Sequence, residues 1–346
     1  MEDRVEQTSQ AIRNEARRLF EADEIDVFIG FESGSLPLSS RPAFLTAEEI
    51  AQDPSKIDTL VWDSFCTSNL ATYLLRYYAN EPNRRKKREK PYPRVGIAVK
   101  GCDCRSVYTL AKERQVQRDS LRLVGVPCAG MVDVRKIQEQ CADEIVACEE
   151  VDDSISITLR NGESTKIDRE KALRRSCLEC RFPKPENTDS IIDTPARKPG
   201  DGGRATLEAF EQKSSDEKWQ YFSDELTKCI RCNACRQACP TCWCKECFAE
   251  HTDLKWIGVG SDLTDAMVFQ ITRIYHQAGR CVECDACYSA CPMGVDLRTY
   301  TNRIAQDVHE LFDYLPDFNP ETSPPLATFS EADSNDFITD PEQAHE

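Results

Sequence analysis

Seven cysteines fall within the nineteen residues 229–247, CIRCNACRQACPTCWCKEC, and four more lie at 281–291, CVECDACYSAC. One spacing occurs in both stretches, C-x2-C-x2-C-x3-C-P. It is met first by Cys229, Cys232, Cys235 and Cys239 with Pro240, then by Cys281, Cys284, Cys287 and Cys291 with Pro292. This is the spacing of the bacterial ferredoxin run that holds 4Fe-4S clusters. Three thiolates two residues apart can wrap one face of a cuboidal cluster, and the backbone N–H groups of so tight a loop can bond its sulfides. The fourth cysteine, turned away by its proline, reaches the neighbouring cluster. Thiolates are soft ligands suited to iron. The spacing therefore assigns one cluster to Cys229, Cys232, Cys235 and Cys291, and a second to Cys281, Cys284, Cys287 and Cys239. The competing assignment is a pair of four-cysteine zinc sites, which more usually rest on two C-x2-C knuckles without the third cysteine and the CP ending.

A second set is dispersed. Cys102 (GCDCRS) and Cys128 (GVPCAGM) each close an apolar run, and Cys177 and Cys180 form a C-x2-C knuckle in CLECRFPKP. Folding could bring these four together around a third 4Fe-4S cluster, with Cys104 an alternative to Cys102. A structural zinc on the same four ligands is the competing reading. Cys242, Cys244 and Cys247 are left over from the first run. They stand open between ligating a further cluster and packing as small apolar thiols. Cys66, Cys141 and Cys148 have no partner at motif spacing and read as ordinary buried thiols.

These cysteines must be held by elements that the hydrophobic pattern outlines. Val5, Ile12, Ala16, Leu19 and Phe20 recur at helical spacing, and Ile25 to Ile29 reads as a strand. Arg94 to Val99 and Leu121 to Val126 are two further apolar strands, with a helix in GCDCRSVYTLAKE between them. Each delivers a cysteine at its C-terminal end, the edge where open α/β sheets bind ligands. Ser154 to Ile167 alternates around Asn161-Gly162, a hairpin signal. Helices are expected in DEKWQYFSDELTK, running into Cys229, in Leu263 to Ala278, ending at Gly279, and from Leu297 to Leu315. The reading is an α/β N-terminal domain at 1–185, a proline- and glycine-rich linker at 186–214, an α-helical dicluster ferredoxin domain at 215–320 and an acidic tail at 321–346, disordered or bound to a partner.

The 346 residues carry 44 basic and 60 acidic side chains, a net charge of −16. That surface repels nucleic acid and anionic lipid. The basic run Arg84 to Lys90 is flanked by prolines and reads as a solvated loop, with a phosphate patch the alternative. No apolar run approaches the roughly 20 residues that cross a bilayer, so direct membrane insertion is not expected. The first twenty residues carry no secretory signal pattern, which makes the cytoplasm the simplest location. Nineteen cysteines in a reducing compartment suit metal or cluster ligation better than a disulfide framework. Lys100 and Arg105, beside Cys102, are candidates to bind an anionic cofactor or to pair with local carboxylates. His276 is a candidate donor to a cluster sulfide or a cap for helix carbonyls. No G-x-G-x-x-G supports a dinucleotide site, no hydrolytic constellation stands out, and catalytic residues are unknown.

Two stretches resemble known families. IYHQAGRCVEC, with its 41-residue separation between the cysteine runs, resembles the α-helical dicluster module of heterodisulfide reductase and succinate dehydrogenase type subunits. KGCDCRSVYTLAKERQVQRDSLRLVGVPCAGMVD resembles the β-subunit family of deazaflavin (coenzyme F420-type) hydrogenases and formate dehydrogenases. In that family a strand–PCD-x-R-A–helix element precedes a strand ending in cysteine and then a C-x2-C before prolines. Cys102, Asp103 and Arg105 match the first element, Ser106 replaces its alanine, and Cys128, Cys177 and Cys180 match the rest. The resemblance spans residues 90–190 and implies an electron-transfer subunit that binds FAD and passes electrons between clusters and a deazaflavin coenzyme. Here the cluster runs follow the family-like domain, where the hydrogenase subunits place theirs before it, and little chain remains for the family's flavin-binding half. The expected function is an iron–sulfur electron-transfer subunit of an oxidoreductase complex. Its partners would be catalytic and electron-transfer subunits of hydrogenase, formate dehydrogenase or heterodisulfide-reductase-like type. The alternatives are a self-sufficient flavin-dependent deazaflavin oxidoreductase and a structural zinc-binding protein.

Overall fold

The computed structural model describes residues 4–78 and 92–329, apart from positions 152, 252, 254, 256 and 259. The run Arg84 to Lys90 lies outside the described residues, and so does the tail from residue 330 onward.

The opening amphipathic pattern forms helix α1, Arg4–Glu21, which buries Ile12, Ala16 and Leu19. It lies against strands β1, Val27–Ser33, and β3, Val95–Val99, with β2, Ser40–Thr46, on the far side of β1. Every residue of β3 is buried, as a parallel strand covered on both faces requires. Helix α2, Gly101–Lys112, carries the chain from β3 to β4, Leu121–Gly125. β1, β3 and β4 run parallel, whereas β2 is antiparallel to β1. A separate antiparallel sheet follows: β5, Ile145–Val151, β6, Ser154–Leu159, and β7, Ser164–Asp168. Its β6–β7 turn contains Gly162 at φ +86°, the left-handed backbone the hairpin needs.

Residues 186–214, expected to be linker, are not free chain. Strand β8, Ser190–Ile191, pairs parallel with β4 and extends the main sheet to the order β2-β1-β3-β4-β8. Asp189 N donates to the Leu123 carbonyl at 3.0 Å and Ile192 N to that of Gly125 at 2.8 Å. The chain then passes the cysteine knuckle, where Gly200 N bonds the Cys180 carbonyl at 2.7 Å and Gly202 N that of Glu179 at 2.8 Å. Helix α3, Arg204–Glu211, follows. The prolines and glycines mark irregular backbone here, but it is laid against the sheet.

The remaining elements are helical. α4, Ser215–Thr227, begins with a capping box between Ser214 and Glu217, which satisfies two N-terminal groups at once. α6, Leu263–His276, and α8, Arg298–Phe312, are the other long helices, and the one-turn helices α5, Ala234–Gln237, and α7, Ala286–Ser289, sit inside the two cysteine runs. Phe222, Leu226, Ile274, Val295 and Leu297 form the small core of this part, with Cys229 and Cys291 packed on it. The protein thus combines a mixed α/β region with a helical C-terminal region. Among the described residues no helix is long and apolar enough to cross a membrane.

Candidate metal centre

The two cysteine runs fold as structural copies. Arg231 and Asn233 in the first have φ of 52° and 61°, and Glu283 and Asp285, at the equivalent places in the second, have 60° and 57°. Left-handed backbone costs L-residues roughly 1–2 kcal/mol each, so four such residues in register are a built feature. Alternating handedness turns successive N–H groups to one side, the concave nest that favours anions. Each loop then enters its one-turn helix, α5 or α7, and these two helices pack on each other.

That packing brings cysteines of the two runs together. Cys229, Cys232 and Cys235 line one cavity together with Cys291 from the other run. Val295 N donates to Cys291 Sγ at 3.4 Å. From α6, Gln270 Nε2 approaches Cys229 Sγ at 3.9 Å and Cys235 Sγ at 3.8 Å. Cys239 is the fourth cysteine of the first run, yet it acts electrostatically on Cys281, Cys284 and Cys287. Burial pushes the thiols of Cys284 and Cys287 up to about 12 and about 11 and raises that of Cys281, and Cys239 adds to each. The free thiols are therefore protonated at neutral pH, and a metal that needs thiolates must displace those protons.

A third gathering lies where β3 and β4 end. Cys102, Cys128, Cys177 and Cys180 line one cavity. Gly130 N donates to Cys128 Sγ and Met131 N to Cys177 Sγ, both at 3.3 Å. Burial raises Cys102 and Cys180, and pushes Cys128 to about 12. Cys104 points elsewhere: its buried thiol donates to the Glu186 carbonyl at 3.3 Å, and Cys102 is the one at the cavity. The three gatherings share walls. Cys287 of the second set also lines the first cavity, and Cys284 also lines the third. Asn69 stands between the second and third, donating to Ser106 Oγ at 3.0 Å and reaching Cys284.

The donor sets suit iron–sulfur clusters: each is four cysteines, and the cysteines of the first and of the third set each line a common cavity, edged by backbone or amide N–H groups. Among the described residues no three His, Cys, Asp or Glu side chains converge as a single metal ion requires. Buried charge provides a second test of fit. Arg273 on α6 is 6% exposed, and among the described residues no carboxylate lies within ion-pair distance of it. Burial opposes its charge, but Cys287, Cys235 and Cys239 outweigh that and hold the guanidinium above its ordinary value. A buried cation needs an opposite charge, and thiolates on iron would supply it permanently.

The other singled-out residues are placed differently from one another. Lys100 is buried, pairs with Asp103 at 2.9 Å, and donates to the Cys66 and Ser68 carbonyls. Arg105 donates to the carbonyls of Pro316 and Val282, faces Glu283 at 3.7 Å and lies over Phe182. Both border the third cavity, and Arg105 Nη2 is buried there without a hydrogen-bond partner. His276 is exposed and packs edge-on against Phe248. Gln277, beside it, instead accepts from Thr241 Oγ1 at 2.6 Å and lies 3.7 Å from Cys239 Sγ. Burial pushes Cys242 to about 12, next to Cys239 and Cys244, while Cys244 is exposed. Sequence reasoning missed Gln270, Arg273, Gln277 and Asn69. Their only signal is a polar side chain on the inward face of a helix or beside a cysteine turn.

Residues 225–295 match the family of 4Fe-4S dicluster domains. The F420-dependent formate dehydrogenase subunit beta of Methanocaldococcus jannaschii is 24% identical over 294 residues, 67% of this chain and 76% of that protein. The F420-dependent formate dehydrogenase 1 subunit beta of Methanococcus maripaludis is 25% identical over 294 residues, 67% of this chain and 75% of its own length. A solved chain of the F420-reducing [NiFe] hydrogenase complex of Methanosarcina barkeri is 15% identical, with a TM-score of 0.33 over 51% of this chain and 58% of that one; a score so low does not establish a shared fold. The chain is thus similar to these formate dehydrogenase beta subunits over 67% of its length, and its residues 225–295 match a 4Fe-4S dicluster domain.

Proposed function

We propose that this chain is an iron–sulfur electron-transfer subunit of an oxidoreductase complex. It would conduct electrons between a catalytic subunit, of formate dehydrogenase, hydrogenase or heterodisulfide-reductase-like type, and a further carrier. The observation that carries this reading is a single cavity lined by Cys229, Cys232 and Cys235 of one run and by Cys287 and Cys291 of the other, which supports ligation crossed between the repeats. Cys229, Cys232, Cys235 and Cys291 would hold the first cluster, and Cys239, Cys281, Cys284 and Cys287 the second. Cys102, Cys128, Cys177 and Cys180 would hold a third. When bound, such clusters supply one-electron transfer at a potential set by burial, charge and hydrogen bonds to sulfur.

The sites would then form a line. The shared walls at Cys287 and Cys284 support an order in which the second set lies between the other two. Cys232 is the exposed member of the first set, which makes that end the natural place for exchange with a partner. At the other end, the carbonyls and carboxylates that engage Lys100 and Arg105 fix the walls of the third cavity. Two units would share this work: an α/β unit that includes β8, and a dicluster unit that starts at α3, whose Phe210 packs on Tyr221 and Tyr300.

Iron and acid-labile sulfide analysis of anaerobically prepared protein tests the reading. About eight irons per chain are expected from two clusters and about twelve from three. Cys128→Ser should remove about four irons and leave the two dicluster signals in place. Colourless protein that holds zinc in stoichiometric amounts would overturn the reading.

A further inference from the structure

α6 lies between the two dicluster sites and presents two buried polar side chains one turn apart, Gln270 and Arg273. They are used unequally. Gln270 Nε2 faces the sulfurs of Cys229 and Cys235, both in the first set. Its Oε1 is buried without a hydrogen-bond partner, so the amide is kept in place for what its N–H groups face. Arg273 Nη2 donates to the Cys235 carbonyl at 3.1 Å, and its Nε is buried without a hydrogen-bond partner. Arg273 lines one cavity with Cys235 of the first set and Cys287 of the second, and its charge acts on both and on Cys239. Other enclosed arginines near these sites face carboxylates: Arg298 pairs with Glu179 at 2.9 Å and faces Asp285 at 3.7 Å, Arg105 faces Glu283 at 3.7 Å, and Arg231 faces Asp265 at 3.9 Å. Arg273 is thus the cation whose field the two dicluster sites share, and Gln270 is a donor that the first site has to itself.

We propose that Arg273 sets the reduction potentials of both dicluster clusters together, and that Gln270 separates the two by raising the first alone. Adding an electron to a cluster adds negative charge to its thiolate cage. A fixed cation nearby stabilises the reduced form and raises the potential, strongly so where water is excluded. An N–H directed at ligand sulfur acts in the same sense over a shorter range. The two residues tune the sites, and neither is a ligand. This inference rests on the cluster assignments above.

The test is a potentiometric titration of full-length, anaerobically prepared protein, followed by electron paramagnetic resonance, with iron content measured on every sample. Arg273→Gln should lower the midpoints of both dicluster signals, and Arg273→Lys, which keeps the charge, should restore most of that shift. Gln270→Leu should lower only the midpoint of the signal that Cys235→Ala removes. Unchanged midpoints at full iron content would overturn the proposal, as would equal shifts in Arg273→Gln and Arg273→Lys or a Gln270→Leu shift common to both signals. Loss of iron in Arg273→Gln with normal iron in Arg273→Lys supports the role of the charge, whereas loss in both shows a purely structural role and overturns it. Iron-free wild-type protein would instead refute the cluster reading itself, so the two failures are distinguishable.

Discussion

Single cysteines are where the crossed arrangement can be put at risk. Cys235 lines the first cavity, whereas Cys239, four residues on, acts on the thiols of the second set. Cys235→Ala is expected to abolish the electron paramagnetic resonance signal of the first cluster. Cys239→Ala should perturb the second and spare the first, although the residue belongs to the first run. Loss of the first signal alone in Cys239→Ala would mean that each run ligates its own cluster. A similar contrast separates two neighbours on α2. Cys102 borders the third cavity, but the Cys104 thiol is buried against the Glu186 carbonyl. Cys102→Ser should cost about four irons per chain, and Cys104→Ala should leave iron content unchanged, with at most a modest loss of thermal stability. Equal iron loss in the two variants would refute this division.

At the level of elements, the third cavity depends on how closely the β3–α2 turn meets the segment after the knuckle. A Cβ on Gly101 would stand 1.8 Å from the Phe182 carbonyl oxygen. The other side of that segment is held as well, because Cys128 N donates to the Pro183 carbonyl at 2.8 Å. Gly101→Ala therefore has to push Cys102 away from Cys180, at a cost of about 1–3 kcal/mol for overpacking. Lowered thermal stability and selective loss of the third cluster's iron should follow, with both dicluster signals kept; a variant as stable and as rich in iron as wild type would show that the turn has slack. Much of this scaffold was legible in the sequence, because β1, β3, β4, the β6–β7 hairpin and the long helices have clean periodicities and caps. β2 was not, since SRPAFLT places a proline in a strand, which only an edge tolerates. β8 was hidden by its length of two residues among prolines. The dicluster region was legible because cluster chemistry fixes cysteine spacing. Gln270 and Arg273 were not: a polar residue on an amphipathic helix reads as solvated until its neighbours in the fold cover it.

Across the whole molecule, the question is what keeps the α/β region and the dicluster region in one register. Much of their contact is polar. Lys112 pairs with Asp317 at 2.6 Å, Glu113 receives both Arg280 and Trp243 at 2.5 Å, and Arg135 reaches the Cys291 carbonyl. Arg105 is the most enclosed of these links. From α2 it bonds the Pro316 carbonyl at 2.5 Å and the Val282 carbonyl at 3.0 Å, and Val282 lies inside the second cysteine run. Arg105 thus fixes the second site against the third cavity. Arg105→Met keeps the side chain's bulk but leaves two buried carbonyls without donors, which costs about 1–3 kcal/mol for each group left unpaired. Glu283 still has Arg181 at 3.0 Å, so the loss should loosen the junction without unfolding either region. In fully reduced wild-type protein, neighbouring paramagnetic clusters should broaden each other's resonances. In Arg105→Met the broadening between the second and third clusters should weaken while the iron content and the broadening between the first and second persist. Identical spectra would mean that the remaining pairs hold the two regions in register unaided, and the line of three sites would then owe nothing to Arg105.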